Sequence, residues 1–348
     1  MEKHDHTFHY NKTFSLEGGG SLAGFQLKYT TLGKLNHDRT NIVWVCHALT
    51  GSSDFTDWWG ELFREGSAFD PRDYFIICAN MLGGCYGSTG PLTINPENGK
   101  TFYHTFPFIT NRDIVAAFDL LREELRIEKV HTLLGGSLGG QQVLEWAIAK
   151  PGLFEHIIPI ACNAFHSPWG IAFNEAQRLA IEADGTWKQN DIRAGSDGLK
   201  AARAVGMISY RYYETFNQTQ AEKTDDKLDE FRASTYQRYQ GQKLVNRFNA
   251  FSYWHFTKMM DSHNVGRGRP GVKEALGHIA AKTLVIGIDS DILFPVSEQK
   301  FVAENIANAQ YVEITSLYGH DGFLVEFDQL DTLLKHFYSR KIHTPVLS

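Results

Sequence analysis

The chain is poor in cysteine and has no closely spaced cysteine pair. Four thiols, Cys46, Cys78, Cys85 and Cys162, are spread over 348 residues. Without a C-x-x-C spacing, a thiolate zinc centre is not expected, and no metal is assigned from the sequence. Scattered cysteines fit a reducing compartment. Cys46, Cys78 and Cys162 lie in apolar runs, where buried free thiols are expected. Long apolar stretches are also missing. Nothing approaches the roughly 18 consecutive apolar residues of a membrane span. Residues 1–11 are polar and lack the apolar centre of a secretory signal, so a cytoplasmic protein without a membrane partner is expected. Positive charge is not in excess: 34 Lys and Arg against 40 Asp and Glu give a net charge of -6. Such a chain offers no broad basic field, which excludes a general nucleic-acid partner. An anionic ligand would need a local cluster of Arg or Lys. There is no internal repeat and no low-complexity tail. What remains is ordinary globular composition, 43% hydrophobic, at a length that fits one large domain or a core with an insertion.

The most informative stretch is Val130-His131-Thr132-Leu133-Leu134-Gly135-Gly136-Ser137-Leu138-Gly139-Gly140. A β-branched apolar run ends in glycines, a serine and more glycines, and residues 141–150 then read as a helix stopped by Pro151. Strand, sharp turn and helix with Ser137 at the turn fit G-x-S-x-G, the nucleophile elbow of α/β-hydrolases. The glycines let the chain pass through a strained turn without side-chain clashes. A phosphate-binding P-loop would need a lysine after the glycines, and none follows.

Around this elbow the chain alternates buried strands and helices. Gly24 to Leu32 and the residues before it read as an opening β-meander. Asn41-Ile42-Val43-Trp44-Val45-Cys46, Tyr74-Phe75-Ile76-Ile77-Cys78-Ala79 and His156-Ile157-Ile158-Pro159-Ile160-Ala161-Cys162 read as strands buried on both faces. Residues 110–125 read as a helix capped by Thr110 with Asp113 three positions on. This βαβα order implies a mostly parallel sheet flanked by helices, an α/β fold. From 168 to 277 the strand pattern stops and helical, aromatic-rich and charged segments take over. The expected organisation is therefore a core formed by 1–167 and 278–348, with 168–277 inserted as a helical lid. The sheet resumes at Lys282-Thr283-Leu284-Val285-Ile286-Gly287-Ile288 and ends at Ala309-Gln310-Tyr311-Val312-Glu313-Ile314, before a closing helix at 327–338.

Acyl transfer through a serine needs a base to take its proton and a carboxylate to orient the base. The α/β-hydrolase order is Ser, Asp, His. Here it is met by Ser137, Asp291 and His320, the last two each following a predicted strand. With 15 histidines in the chain, a histidine alone is uninformative; one in a Gly-His-Asp turn after the final strand is informative. Asp289 competes with Asp291, which is preferred because it lies further past the strand end. By analogy with the same fold, the backbone N–H groups of Leu49 and Leu138 would form the oxyanion hole. His47 reads as a packed residue rather than a base. The glycine-rich 80–91 loop reads as a ligand approach or a structural turn.

Together with these residues, several motifs closely resemble the homoserine O-acyltransferases of methionine biosynthesis, the acetyltransferases in particular. They are His47-Ala48-Leu49-Thr50-Gly51, the 80–91 loop, Pro107-Phe108-Ile109-Thr110-Asn111-Arg112-Asp113, the elbow with Leu144-Glu145-Trp146, Tyr239-Gln240-Gly241, Arg247-Phe248 and Gly319-His320-Asp321. The resemblance covers most of the chain. It implies an α/β-hydrolase fold and a ping-pong reaction in which acyl-CoA acylates Ser137 and L-homoserine then accepts the acyl group. It also implies that Arg211 holds the amino acid carboxylate and Asp321 its ammonium, and that the protein is a homodimer. CoA would serve as a co-substrate, acetyl-CoA or succinyl-CoA, with no bound cofactor. The chain departs from the family pattern at Leu138 and Gln141, where methionine is common, and at Arg247-Phe248-Asn249-Ala250-Phe251, where Arg-Phe-Asp-Ala-Asn is usual. A serine acceptor, an esterase or thioesterase of the same fold, and a non-catalytic binding scaffold are the competing readings. Arg247, Arg267 and Arg269 are candidate CoA contacts on charge alone.

Overall fold

A computed structural model describes residues 2–339. Met1 and 340–348, which belong to the predicted core segments, lie outside the described residues. One eight-stranded sheet runs through the molecule. Its strands are β1 (Lys3–Tyr10), β2 (Phe25–Gly33), β3 (Ile42–Cys46), β4 (Phe75–Ala79), β5 (Val130–Gly136), β6 (Phe154–Ile160), β7 (Lys282–Ile288) and β8 (Ala309–Ile314). Their spatial order is β1-β2-β4-β3-β5-β6-β7-β8. The strand β2 is antiparallel to both β1 and β4, and every other pairing is parallel. The opening meander is thus the antiparallel end of an otherwise parallel sheet, with a small two-stranded hairpin between β1 and β2.

Residues alternate along each strand, so neighbouring side chains enter different cores. Trp44, Ile77, Leu133, Ile157 and Val285 join one apolar cluster. Val43, Val45, Ile76, Leu134, Ile158 and Ile286 join the other. A strand apolar at every position is therefore explained by helices on both faces. Those helices are α1 (Phe55–Trp59), α2 (Asn111–Glu124), α3 (Leu138–Ala149), α4 (Pro168–Glu182), α5 (Ser196–Tyr210), α6 (Tyr213–Gln220), α7 (Arg232–Val245), α8 (Ala250–Asp261), α9 (Val272–Gly277), α10 (Val296–Glu304) and α11 (Phe327–Ser339). The capping box of α2 is formed: the Thr110 side chain accepts from the Asp113 N–H, and the Asp113 carboxylate accepts from the Thr110 N–H. No described helix is long and apolar enough to cross a membrane.

Two boundaries differ from the sequence expectation. Helix α3 begins at Leu138, three residues before the expected start at 141, because Gly139 and Gly140 sit in its first turn instead of in the loop. Strand β6 ends at Ile160, and Ala161 leaves the strand with φ 46°, so Cys162 lies beyond it, buried. Helices α4 to α9 occupy the chain between β6 and β7, with no named strand among them in the described residues. They are fastened internally: buried Arg178 of α4 pairs with Asp261 of α8 at 2.5 Å, and the Asn174 amide donates to the same carboxylate at 2.9 Å.

Candidate active site

The site is assembled at the carboxyl edge of the parallel strands. Ser137 follows β5 directly and adopts φ 57° and ψ -125°, a conformation disfavoured for a residue with a side chain. Its N–H is held by the Ile160 carbonyl of β6 at 2.9 Å. The flanking glycines are required by crowding. A Cβ on Gly139 would lie 2.1 Å from the Cys46 carbonyl oxygen, and one on Gly135 would lie 2.6 Å from the Gly139 backbone. The elbow can form only because α3 is allowed to press against the end of β3.

His320 arrives from the turn after β8 and Asp291 from the turn after β7. The His320 Nε2 lies 2.8 Å from the Ser137 Oγ. Its Nδ1 lies 2.6 Å from the Asp291 Oδ2. The other carboxylate oxygen of Asp291 accepts from the N–H groups of Leu293 (2.8 Å) and Phe294 (2.9 Å), which fixes the carboxylate in place. Asp289 instead accepts from the Ser316 N–H at 3.1 Å and stays at the strand end. All three side chains are buried, and the imidazole stacks on Phe294 with ring centroids 5.0 Å apart. Burial by itself would push the His320 pKa down. The charge and hydrogen bond of Asp291, aided by Asp321, outweigh it and hold the pKa above its ordinary value. This is the arrangement of a nucleophile, a base and an orienting carboxylate, able to form and break an acyl ester.

Leu49 sits in a tight turn closed by the Gly51 N–H on the Ala48 carbonyl at 2.9 Å, and lines the same cavity as Ser137. Leu138 is the first residue of α3, a position whose N–H has no acceptor within the helix. His47 is buried behind this turn. Its Nε2 accepts from the Met81 N–H at 3.2 Å and its Nδ1 faces the Ala48 carbonyl at 2.9 Å. Burial lowers its pKa to about 4, so it is neutral packing that holds the Leu49 turn. The 80–91 loop acts as a strap: the Asn80 side chain binds Ser53 and the Tyr86 carbonyl, while Ser88 and Thr89 bind β2.

The cavity above Ser137 measures about 180 Å³. Asp321 lines it; Arg211 does not, and meets the site only through Asp321. Arg211 Nη1 is 3.4 Å from Asp321 Oδ2, so the two charges meet each other. Arg211 Nε is buried without a hydrogen-bond partner. Arg211 itself lines another, apolar pocket of about 480 Å³. Arg247 lines the Ser137 cavity and is tied to the Leu49 turn through the Thr50 carbonyl (2.6 Å) and to the Tyr86 hydroxyl (2.7 Å). Arg267 and Arg269 do not line it. Arg267 is held by Glu17 at 2.8 Å, and Arg269 is held by Glu145. Sequence reasoning missed Arg203, which lines the cavity, lies over the Tyr210 ring at 5.3 Å, and pairs with no carboxylate among the described residues. The spacing of Arg203 and Tyr210, seven residues apart on one helix face, was the available clue.

The departures from the family pattern also find places. Gln141 is fully buried below the elbow, donating to Asn163 at 3.0 Å, and does not line the cavity. Asn249 caps α8 by accepting from the Ser252 N–H, a role asparagine and aspartate share. Phe251 packs against Trp187 and Tyr103, away from Ser137.

Known proteins give the same picture. The α/β hydrolase fold family matches residues 41–327. Homoserine O-acetyltransferase of Cyclobacterium marinum is 52% identical over 338 residues, which span 97% of this chain and 96% of that protein. The enzyme of the same name from Chlorobaculum parvum is 43% identical over 328 residues, 93% and 92% of the two chains. The crystal structure of homoserine O-acetyltransferase from Bacillus anthracis superimposes with a TM-score of 0.91 at 22% identity, over 99% of this chain and 100% of that one. With the elbow, the sheet order and near full-length identity in agreement, the chain belongs to the α/β hydrolase fold family and, within it, to the homoserine O-acetyltransferases.

Proposed function

We propose that the protein transfers an acetyl group from acetyl-CoA to the hydroxyl of L-homoserine, a step of methionine biosynthesis, through an acyl-serine intermediate. His320 Nε2 takes the proton of the Ser137 hydroxyl as its oxygen attacks the thioester carbonyl. The resulting oxyanion faces the N–H groups of Leu49 and Leu138. Collapse expels CoA, whose sulfur receives the proton from His320. The homoserine hydroxyl then gives its proton to His320 and attacks the acyl-serine, and Ser137 leaves with that proton. CoA acts as a co-substrate and no bound cofactor is needed. Asp291 holds the imidazole in the right tautomer and offsets the charge it gains.

The observation that carries this reading is the Arg211–Asp321 pair beside the Ser137–His320 bond. A simple ester hydrolase has no use for a facing cation and anion next to its base. A zwitterionic amino acid can exchange with the pair, its carboxylate going to the Arg211 fork and its ammonium to Asp321. The helical segment 168–277 serves as the lid that brings Arg203, Arg211 and Arg247 over a core of 1–167 and 278–348. Its exposed Tyr213, Leu228 and Tyr239 favour a homodimer formed through the helices; light scattering that gives only a 39.4 kDa species would contradict the dimer. A cytoplasmic setting follows from this biosynthetic role.

The test is CoA thiol release by the purified protein with acetyl-CoA or succinyl-CoA, each with homoserine, serine or no acceptor. Release that requires acetyl-CoA and homoserine together is the expected result. Release without an acceptor would make the protein a hydrolase and remove the roles given to Arg211 and Asp321.

A further inference from the structure

The edge of the sheet opposite the candidate active site holds a second cluster with chemistry in it. His131 stands near the start of β5, and Glu155 and His156 near the start of β6. One ligand atom from each of the three lies within 4.8 Å of the others. The two imidazole centroids are 4.9 Å apart. Their outer hydrogen bonds are already arranged. His156 Nδ1 donates to the His131 carbonyl at 3.0 Å, which leaves Nε2 as the bare nitrogen. His131 Nδ1 lies 2.8 Å from the Thr132 hydroxyl, which itself meets the Tyr338 hydroxyl at 2.7 Å. Imidazoles that bind metal characteristically have their other nitrogen engaged in this way, by a carbonyl or hydroxyl that fixes ring and tautomer.

Lys282, the register partner of His156, turns its ammonium to the Phe337 ring at 4.4 Å and the Phe337 carbonyl at 3.0 Å. Tyr338 and Phe337 pack against the imidazoles and form the apolar wall.

We propose that His131, His156 and Glu155 form a site for a borderline divalent transition-metal ion of the zinc class, with its fourth position open to water. Two imidazoles and one carboxylate are a donor set that such ions take in tetrahedral geometry. The site clamps β5 to β6 at their amino ends. Ser137 lies at the other end of β5, roughly 20 Å away at about 3.3 Å per residue. The ion therefore stabilises the fold and takes no part in acyl transfer. The sequence offered no sign of it: it has no cysteine pair, and its two histidines are 25 positions apart in separate apolar runs.

The experiment uses the untagged full chain and Zn2+, with a chromophoric chelator as competitor, and Co2+ as a spectroscopic substitute. The expected result is one tight equivalent, visible ligand-field bands of four-coordinate Co2+, and a melting temperature raised by Zn2+. His156→Gln should weaken affinity by at least about tenfold, the scale seen even for outer-shell changes. Glu155→Gln, an exposed change that leaves folding intact, should also weaken it, and both variants should keep acyl transfer at the parent rate. His4 and His6, on β1 with ring centroids 6.4 Å apart, form the competing pair. The proposal is overturned if the parent chain binds no Zn2+ at micromolar concentration. It is overturned equally if both variants bind as the parent does, or if His4→Gln/His6→Gln abolishes binding.

Discussion

The two halves of the candidate active site are built differently. The half on the sheet edge consists of Ser137, His320 and Asp291, buried and joined by contacts of 2.8 and 2.6 Å. The half on the helical segment consists of Arg203 on α5 and of Arg211 and Arg247 in the turns after α5 and α7, more exposed, with the Arg211–Asp321 contact stretched to 3.4 Å. The first half is held by backbone: a strained elbow, two strand-end turns and a twice-bonded carboxylate. The second is held by long side chains on one helix and two inter-helix turns. The difference matches a division of labour. Bond making needs positions fixed to a fraction of an ångström, whereas recognition of a charged amino acid works with side chains that can exchange partners.

Mutations on the two sides should separate these roles. The largest effect is expected from Ser137→Ala: CoA release with homoserine should fall by roughly a thousandfold or more, as removal of a nucleophile does. Full activity in this variant would remove the acyl-serine from the mechanism. Asp291→Asn should leave the protein folded and lower kcat by about 10²–10⁴, through the wrong imidazole tautomer. A matching loss in Asp289→Asn would show that the carboxylates had been assigned the wrong way round.

Across the divide, Arg211→Met should raise KM for homoserine by about 10- to 100-fold, the cost of losing a charge-assisted hydrogen bond. The first half-reaction, followed as a burst of CoA, should stay near the parent rate. A burst that failed as well would place Arg211 with the chemistry instead of with the acceptor. Asp321→Asn should produce a smaller and more diagnostic change. His320 must be neutral to accept a proton, and its pKa is held above the ordinary value partly by the Asp321 charge. Removing that charge lowers the pKa, so the acid limb of the pH–rate profile for acetyl-CoA should move to lower pH. An unmoved limb would mean that Asp321 does not act on the base. The smallest effect is expected from Asn249→Asp, which restores the commoner residue. Thermal stability should change by less than about 0.5 kcal/mol, because the two are equivalent N-caps. A large change in acceptor preference would instead place this position in the site.

The same contrast governs how much could be read from the chain. The elbow was legible because the strain at Ser137 demands glycines beside it, a local requirement written in adjacent letters. The strands were legible because β3 and β4 are apolar throughout and β5 to β7 each carry a buried apolar run. His320 was legible from its place after the last strand. The early start of α3 was not, because glycine ordinarily argues against a helix; only the close approach of Cys46 explains Gly139 in its first turn. Arg267 and Arg269 resembled an anion site as letters. The fold gave them Glu17 and Glu145 instead, residues about 250 and 124 positions away.

By itself, then, the sequence determined the parallel sheet, the elbow at Ser137 and the chain order Ser137, Asp291, His320, because each depends on short-range sterics or on a regular burial pattern. The sequence already preferred Asp291 to Asp289, and the fold sets Asp291 against His320; only the tertiary structure brought Arg203 to the cavity, turned Arg211 onto Asp321 and set His131 beside His156. Those outcomes depend on where distant strand ends and helices meet, and a side chain's charge partner is fixed by that meeting rather than by its neighbours in the chain.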